Sequence, residues 1–245
     1  MKLKVLGSSS SGNCYILESK EETLIIELGV SFKEVLQVLD TSKKVVGALI
    51  THEHGDHSKS VKDALAHGIK AFMTSGTASK LFEEKHYFCK EIKYRNEYQI
   101  GHFKVVPFET EHDVEEPCGF IIKHPEMGTL VFATDTYYIR YNIRGVNHWM
   151  IECNYSEKIL DQNIALGNIH PRQAKRVQKS HFEFENVKEF FRTKNLQKTK
   201  NVVLLHLSAG NSDVNLFIDE IHEIVNKPTY VAYKGLELDL TLCPF

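Results

Sequence analysis

The chain has 245 residues, 42% of them hydrophobic and 25% charged, which is enough for one well-buried core and excludes a disordered or fibrous class. A formal net charge of -2 excludes a global electrostatic pull toward nucleic acid or an anionic membrane, though not a local basic patch. The five cysteines (Cys14, Cys89, Cys118, Cys153, Cys243) are odd in number and form no C-x-x-C pair, which argues against a disulfide framework and for a reducing cytosol.

The opening "MKLKVLGSSSSGNCYILES" is too polar for a signal peptide, and no apolar run approaches the length of a membrane span. A soluble, cytoplasmic chain with no membrane contact is expected. "LKVLG", "CYILES" and "TLIIELG" read as strands joined by tight loops, the first being the Gly/Ser-rich "GSSSSGN". "VVGALIT" is a further strand, and "SKSVKDALAHG" a helix with Val61 and Leu65 inward, stopped by Gly68. "IKAFMTS" and "GTASKLFEEK" repeat that strand-helix step. Strands return in "YQIGHFKVVPFET", "CGFIIKH", "TLVFATD" and "WMIECN", followed by a helical stretch over 156–196 and the strand "NVVLLHLS". A helix over 212–226 opens on Ser212 and Asp213 and repeats Val214, Phe217, Ile218, Ile221, Ile224 and Val225 at helical spacing. "TYVAYKGLELDL" closes as a strand. No linker separates the halves, so residues 1–245 read as a single α/β domain with two sheets packed face to face and helices outside.

Four chemically loaded spots each follow an apolar strand. They are "THEHGDH" after "VVGALI", His112 after "FKVVPFETE", Asp135 after "LVFAT", and His206 at the end of "NVVLL". Open α/β architectures gather ligands beyond strand ends, so these endings can meet at one edge. Together they offer His52, His54 and His112 to one metal, and Asp56, His57 and His206 to a second, with Asp135 as the bridge. Gly55 is expected to let the loop fold back, so that neighbouring side chains face different metals. A lone His112, Asp135 or His206 would read as an ordinary packing or cap residue; the crowded His52–His57 run would not.

"THEHGDH" resembles the H-x-H-x-D-H signature of the metallo-β-lactamase superfamily. "GSSSSGNCYILE", "LIIELGVS", "EHDVEEPCGFII", "FATDT" and "LLHLSAGNS" extend the resemblance over nearly the whole chain. They are similar to the small stand-alone hydrolases of the WalJ (YycJ-like) type and to the phage anti-Pycsar cyclic-nucleotide phosphodiesterases. The resemblance implies an αββα sandwich of two mixed sheets holding two metal ions, zinc or else manganese, and a homodimer. It implies an aspartate supporting the metal loop where this chain has Glu27. It also suggests His181, at "SHFEF", for the position of a family "GHLS"-type motif.

Metals of this kind lower the pKa of water and polarise the scissile group, and Asp56 can orient the attacking water. In "HPRQAKRVQKSHFEFENV", Pro171 starts a helix that puts Arg172, Lys175, Arg176 and Lys179 on one face running toward His181. That face is either a solvated stripe or a lid carrying cations to an anionic substrate, with His181 as general acid. The reading that follows is a phosphodiesterase opening 3′,5′-cyclic mononucleotides and countering cyclic-nucleotide defence signalling, with Asp56 and His181 as its catalytic residues. Tyr137, Tyr138, Tyr141 and Phe182 are on hand to stack on a base. The alternatives are a WalJ-like exonuclease on DNA or RNA, and a nucleotide-binding sponge without turnover.

Overall fold

The computed structural model describes residues 1–242. The chain begins with β1 (Lys2–Ser9), β2 (Gly12–Glu18) and β3 (Glu22–Ile26), followed by α1 (Phe32–Val38) and β4 (Lys44–Leu49). The short helices α2 (Gly55–Ser58) and α3 (Val61–Ala66) lead to β5 (Ala71–Thr74), α4 (Ser75–Leu81) and β6 (Cys89–Ile92). Next come β7 (Tyr98–Ile100), β8 (Phe103–Glu109), β9 (Cys118–His124), β10 (Gly128–Ala133) and β11 (His148–Glu152). Three helices follow, α5 (Glu157–Ala165), α6 (Pro171–Ser180) and α7 (Phe184–Arg192), and the chain ends through β12 (Asn201–Leu205), α8 (Val214–Val225), β13 (Thr229–Val231) and β14 (Glu237–Asp239).

These elements fall into two compact units. The first comprises Met1–Glu109, Val114–Gly128 and the stretch from Ala232; the second comprises Thr110–Asp113 and Thr129–Val231.

In the first unit, seven strands line up in the order β14-β1-β2-β3-β4-β5-β6. Strands β2 and β3 are buried at every position, as expected of β-branched and leucine-rich segments covered on both faces. The parallel register sets Ile26 beside Leu49, so Glu27 and the run from Ile50 to His52 emerge at the same sheet edge. α1 and α3 bury Phe32, Val35, Val61, Ala64 and Leu65 against Leu6, Ile16, Ile25 and Ile50. β7, β8 and β9 form an antiparallel meander.

In the second unit, β10, β11, β12 and β13 are parallel neighbours. Their register aligns Ala133 with Ile151 and Ile151 with Leu204, so the chain leaves β10, β11 and β12 at one level. Trp149 packs edge-on against Phe190 and Phe191 of α7, at ring distances of 5.6 and 5.9 Å. Phe184 stacks on Phe217 of α8 at 4.1 Å.

The closing segment departs from the single strand read in "TYVAYKGLELDL". β13 stops at Val231 and β14 starts at Glu237, with Gly235 at φ 97° in the turn between them. Cys14, Cys89, Cys118 and Cys153 are free thiols, while Cys243 lies outside the described residues. Among the described residues no helix is long and apolar enough to cross a membrane.

Candidate metal centre

The first unit holds one cluster of candidate ligands. Where β4 ends, His52 and His54 turn ring nitrogens on each other, His52 Nε2 lying 3.1 Å from His54 Nδ1. The other nitrogen of His52 meets the Thr51 hydroxyl at 2.9 Å. His54 caps α2, so Asp56 and His57 stand on its first turn, with His57 Nε2 3.3 Å from the Asp56 carboxylate. His57 Nδ1 faces Glu27 at 3.5 Å, and the second Glu27 oxygen accepts from the Thr51 amide at 3.4 Å. Glu27 is fully buried, and burial raises its carboxyl above the usual range against the pull of His57 and Thr51. A carboxylate on Nδ1 leaves Nε2 as the nitrogen presented to a metal.

Asn13, from the serine-rich hairpin, fastens this cluster. Its amide nitrogen lies 3.1 Å from His57 Nε2 and donates to the Asp56 carbonyl at 3.2 Å. At Gly29 a side chain would strike the Asp56 carbonyl, since an added Cβ would stand 1.7 Å from it. Gly55, by contrast, is an ordinary right-handed helical residue with open space where a Cβ would be. The fold-back expected of Gly55 is therefore made by the His54 cap and α2, and the indispensable glycine is Gly29.

The second unit holds another cluster. Asp135 lies two residues past β10 and His206 one past β12, with Asp135 Oδ1 3.5 Å from His206 Nδ1. The other oxygen of Asp135 is 3.7 Å from His112 Nε2, and His112 Nδ1 lies 3.2 Å from the Ser180 carbonyl. Burial lowers the His112 pKa against the carboxylates of Asp135, Glu152 and Asp113, favouring the neutral ring that binds metal. Glu152 and Asn154, at the end of β11, complete this cluster. Asn154 donates to the His206 carbonyl at 2.7 Å, and Glu152 Oε1 stands 3.4 Å from His206 Nδ1 and 2.6 Å from His181 Nδ1. His181 stacks on His206 at 5.4 Å. Burial works against its imidazolium, but the Glu152 carboxylate outweighs burial and the His181 pKa is raised. Asp135, Glu152, His181 and His206 thus offer ligand atoms within 4.8 Å of one another.

Glu27, Asp135 and His206 all carry left-handed backbone, with φ of 64°, 48° and 54°. Such conformations cost about 1–3 kcal/mol each and collect at functional sites. Each stands just past a strand end, where the chain turns sharply and the side chain is aimed back across the edge.

The structure thus brings His52, His54, Asp56 and His57 together in one unit, and His112, Asp135, His181 and His206 together in the other. Asn13, Glu152 and Asn154 went unread in the sequence. The strand-end rule that found Asp135 and His206 applies equally to "WMIECN" and would have found Glu152. In both clusters the donors are imidazole and carboxylate without thiolate, a set that fits zinc, manganese or iron.

The model of the β-lactamase superfamily domain matches residues 29–206, and the chain belongs to that family. Exodeoxyribonuclease WalJ of Streptococcus pneumoniae serotype 2 (strain D39 / NCTC 7466) is 25% identical over 86% of this chain and 83% of its own. Exodeoxyribonuclease YycJ of Bacillus anthracis is 24% identical over 97% of this chain and 94% of its own. Among solved structures, the metallo-β-lactamase fold protein YhfI from Bacillus subtilis superposes with a TM-score of 0.74 at 14% identity, covering 97% of this chain and 99% of that one. The fold is accordingly α/β with two mixed sheets, and the chain is a metallo-hydrolase whose family implies divalent metal ions.

Proposed function

We propose that the chain is a two-metal phosphodiesterase that opens 3′,5′-cyclic mononucleotides to linear monophosphates, countering cyclic-nucleotide defence signalling. In this reading the chain holds a pair of divalent ions. His52, His54 and His112 would hold one, Asp56, His57 and His206 the other, and Asp135 both. Zinc suits the donor set, and manganese is the alternative. Bound divalent ions lower the pKa of water and neutralise phosphoryl charge.

The rest belongs to the chain's own side chains. Asp56 orients the attacking water and accepts its proton. As the new oxygen–phosphorus bond forms, the bond to O3′ breaks and the departing ribose oxygen takes a proton from His181 Nε2. Glu152 occupies Nδ1 and so fixes which nitrogen donates. That pair is the observation that carries the reading: an alkoxide is a poor leaving group, and its departure needs an imidazole held in place by a carboxylate, as Glu152 holds His181. Tyr137 and Tyr138, 45% and 53% exposed and immediately after Asp135 and Thr136, offer faces for a single base.

A second reading, an exodeoxyribonuclease, is favoured by WalJ and YycJ and by α6, whose Arg172, Lys175, Arg176 and Lys179 are all exposed. One experiment separates the two. The zinc- and manganese-loaded protein is assayed on cyclic AMP, GMP, CMP and UMP and on end-labelled single- and double-stranded DNA, with chelator and Asp56→Ala controls. Cyclic-nucleotide turnover abolished by both controls supports the first reading. DNA degradation with no cyclic nucleotide touched establishes the second, and tight binding without turnover would leave a sponge. A homodimer is expected throughout, and sedimentation tests it.

A further inference from the structure

A cavity of about 390 Å³ opens in the first unit, within the range of small-molecule sites, roughly 300–1,000 Å³. One wall is the serine-rich turn between β1 and β2, which contributes Ser8, Ser9 and Ser11. The lining also includes Lys59, one residue beyond α2, and Tyr233 and Lys234. Nothing in the metal chemistry uses these residues.

Its chemistry is selective. Serine hydroxyls both donate and accept, and the lining holds two lysines and a single carboxylate, Glu34. Glu34 is already engaged, accepting from the Ser31 hydroxyl at 2.7 Å and pairing with Lys234. Lys59 has no ion-pair partner among the described residues, and its charge is available to a ligand. Tyr233 is 61% exposed and presents a flat ring beside this polar hollow. A flat ring, a cluster of hydroxyls and an unspent cation suit a molecule with an aromatic base, a sugar and a phosphate.

We propose that this cavity binds a nucleoside monophosphate, with the base on Tyr233, the ribose among the serines and the phosphate on Lys59. The site also touches the metal loop mechanically. Asn13 follows the serine turn, donating to the Ser9 carbonyl at 3.0 Å and to the Asp56 carbonyl at 3.2 Å. Added Cβ atoms at Gly7 and Gly12 would stand 2.3 and 2.6 Å from the carbonyls of Gly12 and Gly29, so the turn has little freedom to move apart from that loop. A nucleotide held by the turn therefore stiffens the backbone that carries Asp56 and His57.

The test is calorimetric titration of the full-length, metal-loaded protein with adenosine 5′-monophosphate, which contains no diester to cleave, and with inorganic phosphate. AMP is expected to bind, with Lys59→Ala and Tyr233→Ala each weakening it about tenfold while metal content and circular dichroism stay unchanged. Amide resonances of Ser8–Ser11 should shift on saturation. Phosphate alone should bind at least about tenfold more weakly. The proposal is overturned if AMP does not bind at millimolar concentration, or if both variants bind it as the unaltered chain does, which would put it on the metals. It is equally overturned if phosphate competes as well as AMP and Tyr233→Ala is silent. Absence of cyclic-nucleotide hydrolysis alongside intact AMP binding would sink only the phosphodiesterase reading.

Discussion

His57 shows how one proposed ligand is oriented: Glu27 takes Nδ1, and Nε2 turns toward Asp56. Glu27→Gln keeps the volume but removes the charge, and should weaken metal affinity roughly 10–100-fold in competition with a chromophoric chelator. Unchanged affinity would mean that Glu27 only fills space. His181 is the complementary case, held by Glu152 and outside the proposed ligand set. His181→Ala should lower kcat by roughly 10²–10⁴ with both metals retained, and a p-nitrophenyl diester, with its better leaving group, should be hurt less. Equal losses on both substrates point instead to binding or folding, and loss of metal makes His181 a ligand. Of the proposed ligands, His52, His54, Asp56 and His57 stood out in the sequence because His, Asp and Gly crowd into so few positions after an apolar strand. Their supports did not, since Asn13, Glu152 and Asn154 are common residue types whose task appears only when strand ends are brought level.

Among the elements, α8 was legible because its cap and its stripe agree. Asp213 accepts from the Leu216 amide at 3.1 Å, and Phe217, Ile221 and Val225 are buried. Val214, read as part of that stripe, is 46% exposed, because a helix start lies past the edge of what it covers. Asp213→Ala should cost about 1 kcal/mol in urea unfolding. α1 escaped the apolar pattern because it is only seven residues long, yet Ser31 and Glu34 form a capping box that spells its start. β6 is similarly short and half-buried, too brief to show a period. Charge also ties elements together. Glu18 at the end of β2 meets Lys4 of β1 at 2.8 Å and Lys43, just before β4, at 3.0 Å. Burial pushes its carboxyl up, but the two ammonium groups outweigh burial and hold it below the usual range. A lowered folded pKa means stability that is present above the unfolded carboxylate value, about 4.3, and lost as pH falls through the folded one. Glu18→Gln should thus be less stable than the unaltered chain at pH 6 by at most about 1 kcal/mol, the gap closing toward pH 3. A gap that persists at pH 3 would assign the effect to packing.

For the molecule as a whole, the first unit holds His52, His54, Asp56 and His57, and the second holds His112, Asp135 and His206. If one pair of ions uses both sets, metal binds only the completed fold and stabilises it by mass action, about 2.7 kcal/mol at a hundredfold excess over Kd. Chelation should then lower the melting temperature of the entire chain in one transition, and readdition of zinc should restore it. Melting of one unit alone on chelation would show that the ions belong to that unit. The order of the strands carries a different consequence, one for biosynthesis. Lys2 is paired with Asp239, so β1 keeps a bare hydrogen-bonding edge until β14 has been made. At about 5–20 residues per second on a ribosome, that edge waits on the order of ten seconds or more. Throughout that interval the nascent chain offers any passing strand the place that β14 takes later, so a yield that responds to chaperones and crowding is the expected consequence of this topology.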